Sequence, residues 1–105
     1  MPTRALVRPL AVAYACADCP LSAAARAAAA MLDRRGLAEA AAAAGDSPAE
    51  ISRAKSRFPV VAIDGCREAC ARRWLGRHGV TPQRHFVLRE GEDAEHAVAR
   101  IAALW

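Results

Sequence analysis

The chain has no long apolar run, no basic block and few aromatic residues, and each absence removes a class of function. No stretch approaches the roughly 20 apolar residues that a membrane span needs. The net charge of +4 comes from arginines scattered along 105 residues. The densest points are Arg53-Ala-Lys-Ser-Arg57 and Arg72-Arg73. Neither is interleaved with aromatics, so both read as solvated helix faces and not as a nucleic-acid footprint. No Ser/His/Asp set, carboxylate pair or glycine-rich phosphate loop is present, which leaves no case for hydrolysis or nucleotide binding. The first residues do not read as a secretion signal either. Arg4 and Arg8 precede Leu10-Ala-Val-Ala-Tyr-Ala-Cys16, but Pro9 interrupts that segment and its apolar part is too short for a signal core. A cytoplasmic location is expected.

What is present fits one domain spanning residues 1–105. Hydrophobic residues make up 54%, but many are alanines, which bury little area each, so the core should be thin and helped by a staple such as a metal. Punctuation divides the chain into alternating strands and helices. Residues 6–15 read as a first strand ending at Cys16. Pro20 then opens a helix with Cys19 as its cap, running to about Arg35 with Leu21, Ala25, Ala28 and Leu32 on one face, and Gly36 stops it. Residues 37–44 favour helix by alanine propensity alone. Gly36 and Gly45 bound them, however, and a separate start signal follows, so they read as a short buried strand. That signal is Ser47 as cap, Pro48 at the first position and Glu50 completing a capping box, with Ile51, Ala54 and Phe58 buried.

Residues 59–64 contain Val60-Val-Ala-Ile63, a continuous apolar run suited to a strand covered on both faces. Gly65 turns the chain, and Cys66 opens a helix to about His78, ended by Gly79 and Pro82. Residues 85–89 form a fourth strand around Phe86, Val87 and Leu88. A last helix follows Glu90-Gly91, with Ala94, Ala97, Val98, Ile101 and Leu104 inward. The expectation is a three-layer α/β fold with a mostly parallel four-stranded sheet, order 2-1-3-4, flanked by helices. Ligand sites in such sheets lie beyond the carboxyl ends of the strands where the order reverses. Cys16 and Cys66 mark two such ends, so four sulfurs should converge there.

Those sulfurs belong to Cys16-Ala-Asp-Cys19 and Cys66-Arg-Glu-Ala-Cys70. Pairs two to four residues apart supply two thiolate ligands each, which suits tetrahedral zinc. Helix N-termini favour thiolate over thiol and offset part of its charge. Three alternatives stand beside zinc. The cysteines could be small buried hydrophobes. Strand, C-x-x-C and helix also suit a glutaredoxin- or thioredoxin-like oxidoreductase using Cys16 and Cys19, with Phe58-Pro59-Val60 as a cis-proline strand. Split cysteine pairs further suit an iron–sulfur carrier.

From Ile63-Asp-Gly-Cys66 the sequence resembles the DGC family, named for a tripeptide that here is Asp64-Gly65-Cys66. The resemblance takes in Cys16 and Cys19, Leu32-Asp-Arg-Arg-Gly-Leu-Ala-Glu39, Ala54-Lys-Ser56, Val61 to Cys66 and Cys70. It continues through Leu75-Gly-Arg-His-Gly-Val80 and residues 82–85, and fades from about Glu90. It implies a zinc-binding α/β domain with no established catalysis or cellular task. Members often carry further cysteines where this chain has residues 41–44 and Trp74. With four cysteines left, a closed single-ion site is favoured over a cluster or thiol relay. The expected ligands are Cys16, Cys19, Cys66 and Cys70, with Trp74 shielding them on a stripe shared with Cys66 and Cys70. Asp64 is expected to cap the helix after Gly65, His78 and His85 to border a loop away from the crevice, and His96 to lie on the surface. The expected partner is a metal ion, with no nucleic acid, no membrane and no protein partner specified by the sequence.

Overall fold

The computed structural model describes residues 10–17, 22–45, 47–65 and 68–104. Within them strands and helices alternate as β1 (Ala11–Cys16), α1 (Ala23–Arg34), β2 (Ala38–Ala43), α2 (Pro48–Ser56), β3 (Val60–Asp64), α3 (Cys70–Arg77), β4 (Arg84–Val87) and α4 (Ala94–Leu104). All strand pairings are parallel and the order is β2-β1-β3-β4, the arrangement the alternation predicts. Each helix is the crossover that a parallel pair needs.

The two-residue strand period sorts side chains into two cores. Ala11, Ala13 and Ala15 of β1, with Val61, Ile63 and Phe86, pack on Ala25, Ala28, Ala29 and Leu32 of α1 and on Ala97, Val98 and Ile101 of α4. Val12 and Tyr14, with Val60 and Ala62, pack on Ala54 of α2 and on Ala71, Trp74 and Leu75 of α3. Ala25, Ala28 and Leu32 of α1 and Ala97, Val98 and Ile101 of α4 thus match the sequence periodicity, while Leu104 is exposed and Leu21 lies outside the described residues. Phe58 is also exposed, at 63%, because α2 ends at Ser56 and the chain turns away before it.

Several boundaries differ from expectation for local reasons. Ser22, not Cys19, occupies the cap position of α1, and the helix begins at Ala23. Cys19 and Pro20 lie outside the described residues. Gly36 (φ +73°) ends α1 in the left-handed conformation, and Leu37 N–H reaches Leu32 O at 2.9 Å. β2 forms where propensity favours helix, but it is half-buried with only its ends covered, because it is an edge strand. Ser47 Oγ accepts Glu50 N–H at 3.4 Å, while the Glu50 carboxylate does not return to complete a capping box. It accepts Ala42 N–H at 3.3 Å and binds Arg53 at 2.7 Å instead. Asp33 Oδ2 likewise accepts Ala40 N–H at 2.9 Å, so carboxylates meet two amides on the outer rim of β2.

At the other end of the sheet, Arg100 of α4 donates to Val87 O at 3.0 Å and binds Glu92 at 2.8 Å. The Arg100 guanidinium, and next the Arg89 N–H, hold the Glu92 carboxyl down at about 2. A depressed folded value means that this interaction stabilises the fold above the ordinary carboxyl value of 4.5 and is lost as pH falls toward 2. Arg100→Met should therefore cost no more than about 3 kcal/mol at neutral pH, less where solvent screens the pair. Denaturant titrations of both proteins should show that difference shrinking as pH drops from 4.5 toward 2. A difference that stays constant would mean that Arg100 acts only through packing. No helix among the described residues is long and apolar enough to cross a membrane.

Candidate metal centre

β1 and β3 are neighbours, with Ala15 opposite Ile63, so Cys16 and Asp64 stand side by side one step later. Both carry the parity of the Val12 and Val60 face and turn toward α3. Cys16 is buried and carries a free thiol. Cys70 is half-buried and is the first residue of α3. The strand end and the helix start therefore bring two of the four expected sulfur ligands to one edge and one face of the sheet. Cys19 and Cys66 lie outside the described residues. Among the described residues, no group of three or more His, Cys, Asp or Glu could hold a metal.

Asp64 explains how α3 is held there. Its side chain is fully buried, Oδ1 accepts Ala71 N–H at 2.7 Å, and Oδ2 accepts Arg72 N–H at 3.3 Å. The carboxylate thus satisfies two of the amides that open a helix, as expected of a residue capping the helix after Gly65. The helix itself begins four residues later than expected, at Cys70, after Ala69 has turned through a left-handed conformation (φ 53°). Cys66, expected on a stripe with Cys70, lies outside the described residues. The stripe Cys70–Trp74 remains.

His85 is the residue whose position sequence reasoning missed. It lies inside β4 opposite Ala62, and its Nε2 stands 2.8 Å from Asp64 Oδ2. The alternation around Phe86, which enters the α1/α4 core, was the available signal, because it turns His85 to the α3 side. With two amides and an imidazole on it, the Asp64 carboxylate is occupied. Cys16 and Cys70 bring sulfur to the same edge.

Trp74 covers the centre from the side. Its indole stacks on Tyr14 at 5.6 Å between centroids, Nε1 donates to Gly45 O at 2.7 Å, and His78 meets it edge-on at 4.9 Å. The ring thus bridges α3 to the end of β2 and keeps water from the sheet beneath Cys70. Burial, and next the charge of Glu50, push the Tyr14 hydroxyl above its usual value. His96 lies on the surface, paired with Asp93 at 2.8 Å.

On the other side, Arg26 of α1 donates to Cys16 O at 3.0 Å and to Ala17 O at 3.5 Å. One turn before it, Ser22 is fully buried and its Oγ has no hydrogen-bond partner among the described residues. An unmet buried hydroxyl costs about 1–3 kcal/mol. The Phe58–Pro59 peptide is cis, but Pro59 precedes β3 and stands at the opposite edge of the sheet from Cys16. It does not face Cys16 as the oxidoreductase arrangement requires.

The sequence matches the family described as the DGC domain over residues 12–101. It is 40% identical over 98 residues to the "Anaerobic and virulence modulator AnvM" of Pseudomonas aeruginosa, across 83% of this chain and 75% of that protein. No solved structure matches the chain.

Proposed function

Because the chain belongs to the DGC family, we propose that it is a cytoplasmic metal-binding module holding one zinc ion through the thiolates of Cys16, Cys19, Cys66 and Cys70. One observation carries this reading. Cys16 and Cys70 stand on the same face and edge of the sheet, beside a carboxylate already occupied by α3 and His85. Soft sulfur donors without an open carboxylate suit zinc and disfavour hard cations. Zinc has no redox chemistry of its own and, bound here, would tie together two segments far apart in sequence. Thiols kept as metal ligands persist in a reducing compartment. The relative's name designates a modulator, which supports a regulatory or structural role before a catalytic one.

Protein purified without oxygen should be colourless and carry about one zinc per chain. Cys16→Ser and Cys66→Ser should each lower that content. Visible absorption with matching iron and sulfide would replace zinc by a cluster. Disulfide-reductase turnover that survives Cys66→Ala and Cys70→Ala but dies with Cys16→Ala would replace the metal centre by a redox pair.

A further inference from the structure

The start of α3 has no cap of its own. Ala69 occupies the cap position in a left-handed conformation (φ 53°), and its methyl group offers the first amides no acceptor. No acidic residue lies in the first turn either. The missing acceptor comes from the sheet. Asp64, at the end of β3, takes Ala71 N–H at 2.7 Å and Arg72 N–H at 3.3 Å. Where α3 begins, and so where its first residue Cys70 stands, depends on the way this one carboxylate points.

A carboxylate turns easily about its last side-chain torsion, whose minima are broad. The two amides of α3 do not fix that torsion, because helix and carboxylate can shift together. The third donor is of another kind. His85 sits inside β4, paired with Ala62 of β3, and its Nε2 stands 2.8 Å from Asp64 Oδ2. An ionised carboxylate only accepts, so Nε2 supplies the proton of this contact. β4 is bonded to β3 along its length and is not part of α3. The imidazole therefore ties the plane of the carboxylate to the sheet, and the same sheet carries Cys16 at the end of β1.

We propose that His85 is a positioning residue for the metal centre: through Asp64 it sets where α3 presents Cys70 relative to Cys16. The proposal rests on the zinc reading above and adds to it a residue outside the ligand set that aligns two of the ligands. Binding sites hold their geometry only when the supporting residues keep each group within about 0.5 Å of its place. A helix start that drifts with an unbraced carboxylate therefore loses metal affinity before it loses the fold. The links are contacts in the structure, from the imidazole on β4 to the carboxylate on β3 to the amides that follow Cys70. A histidine that merely satisfied a buried charge would change stability and leave the metal untouched.

The test compares wild-type protein with His85→Gln, His85→Asn and His85→Leu, all reduced and stripped of metal. A glutamine amide nitrogen reaches the place of Nε2, whereas an asparagine amide stops near that of Nδ1 and leaves Asp64 without its third donor. Zinc affinity is measured by competition with a chromophoric chelator, the sulfur-to-cobalt absorption band is recorded on cobalt-loaded protein, and the metal-free forms are melted. His85→Asn and His85→Leu should bind zinc about 10-fold more weakly and shift the cobalt band. His85→Gln should restore most of the affinity and the wild-type band. Asparagine against glutamine carries the comparison where His85→Leu does not fold. Unchanged affinity and band in His85→Asn, whatever its melting temperature, would make His85 structural and overturn the proposal with the zinc site standing. Equal weakening in His85→Gln and His85→Asn would overturn it too, because a donor at the place of Nε2 would then not matter. A wild-type protein that takes up neither zinc nor cobalt would overturn both readings.

Discussion

Replacing Asp64 with alanine should remove about 3–5 kcal/mol of stability, the cost of taking one partner from a buried ionic group. The residue is fully buried and meets three donors at once: the amides of Ala71 and Arg72 and the ring of His85. Its loss uncaps α3 and unpairs His85 in one step. Few domains of this size have more than two or three times that amount to spare. Asp64→Asn should fall between the two, because the amide keeps one oxygen acceptor but presents an N–H₂ where two donors already point. Urea titration reads both variants as a lower midpoint with unchanged slope. A loss under about 1 kcal/mol for Asp64→Ala would show that α3 is held by Trp74 and Leu75 alone.

Removing the metal should have a comparable effect. If zinc is held as proposed, free metal at a thousand times its dissociation constant adds about 4 kcal/mol to folding. For a domain of this length that corresponds to about 20 °C in melting temperature. The core amplifies the effect, since β1 and α1 contribute mostly alanines and bury little area per residue. Chelation at neutral pH should lower the melting temperature by that order. Cys66→Ser should mimic chelation and abolish any further response to chelator. Acidification to roughly pH 5 should release the ion, because protons compete for the sulfurs. Reduced metal-free protein that melts with the metal-bound form would make the ion a cargo and not a staple.

The topology was legible because its signals are local. Gly36, the Ser47-Pro48 start and the apolar run of β3 each fix an element without reference to the rest, and alternation then leaves few sheet orders. The placement of Cys16 at a strand end and the capping role of Asp64 were legible for the same reason. The start of α3 was not. Its cap lies on β3, seven residues before the first amide it holds, and rules for helix ends look only at adjacent residues. Ala69 in a left-handed turn is equally silent in sequence, since alanine carries no preference for it. The pairing of His85 with Asp64 depends on the register of β4 against β3, which is a tertiary fact. The unmet hydroxyl of Ser22 shows only once burial is known. Phe58 and Leu104 were misjudged because hydrophobicity was read without the ends of their helices.

The outer rim of β2 bears on how this molecule can meet others. A strand reading Ala-Glu-Ala-Ala-Ala-Ala, small, nearly uncharged and free of proline, is an inviting template for a foreign strand. Asp33 from the end of α1 and Glu50 from α2 occupy its Ala40 and Ala42 amides, so the template is blocked by the chain's own carboxylates. Glu39 adds a second guard, clasped by Arg53 and Arg57 at 2.9 Å each. Polymerisation through this edge is closed, and recognition by strand addition with it. A macromolecule that engages this side of the domain must therefore read side chains and not the backbone of β2.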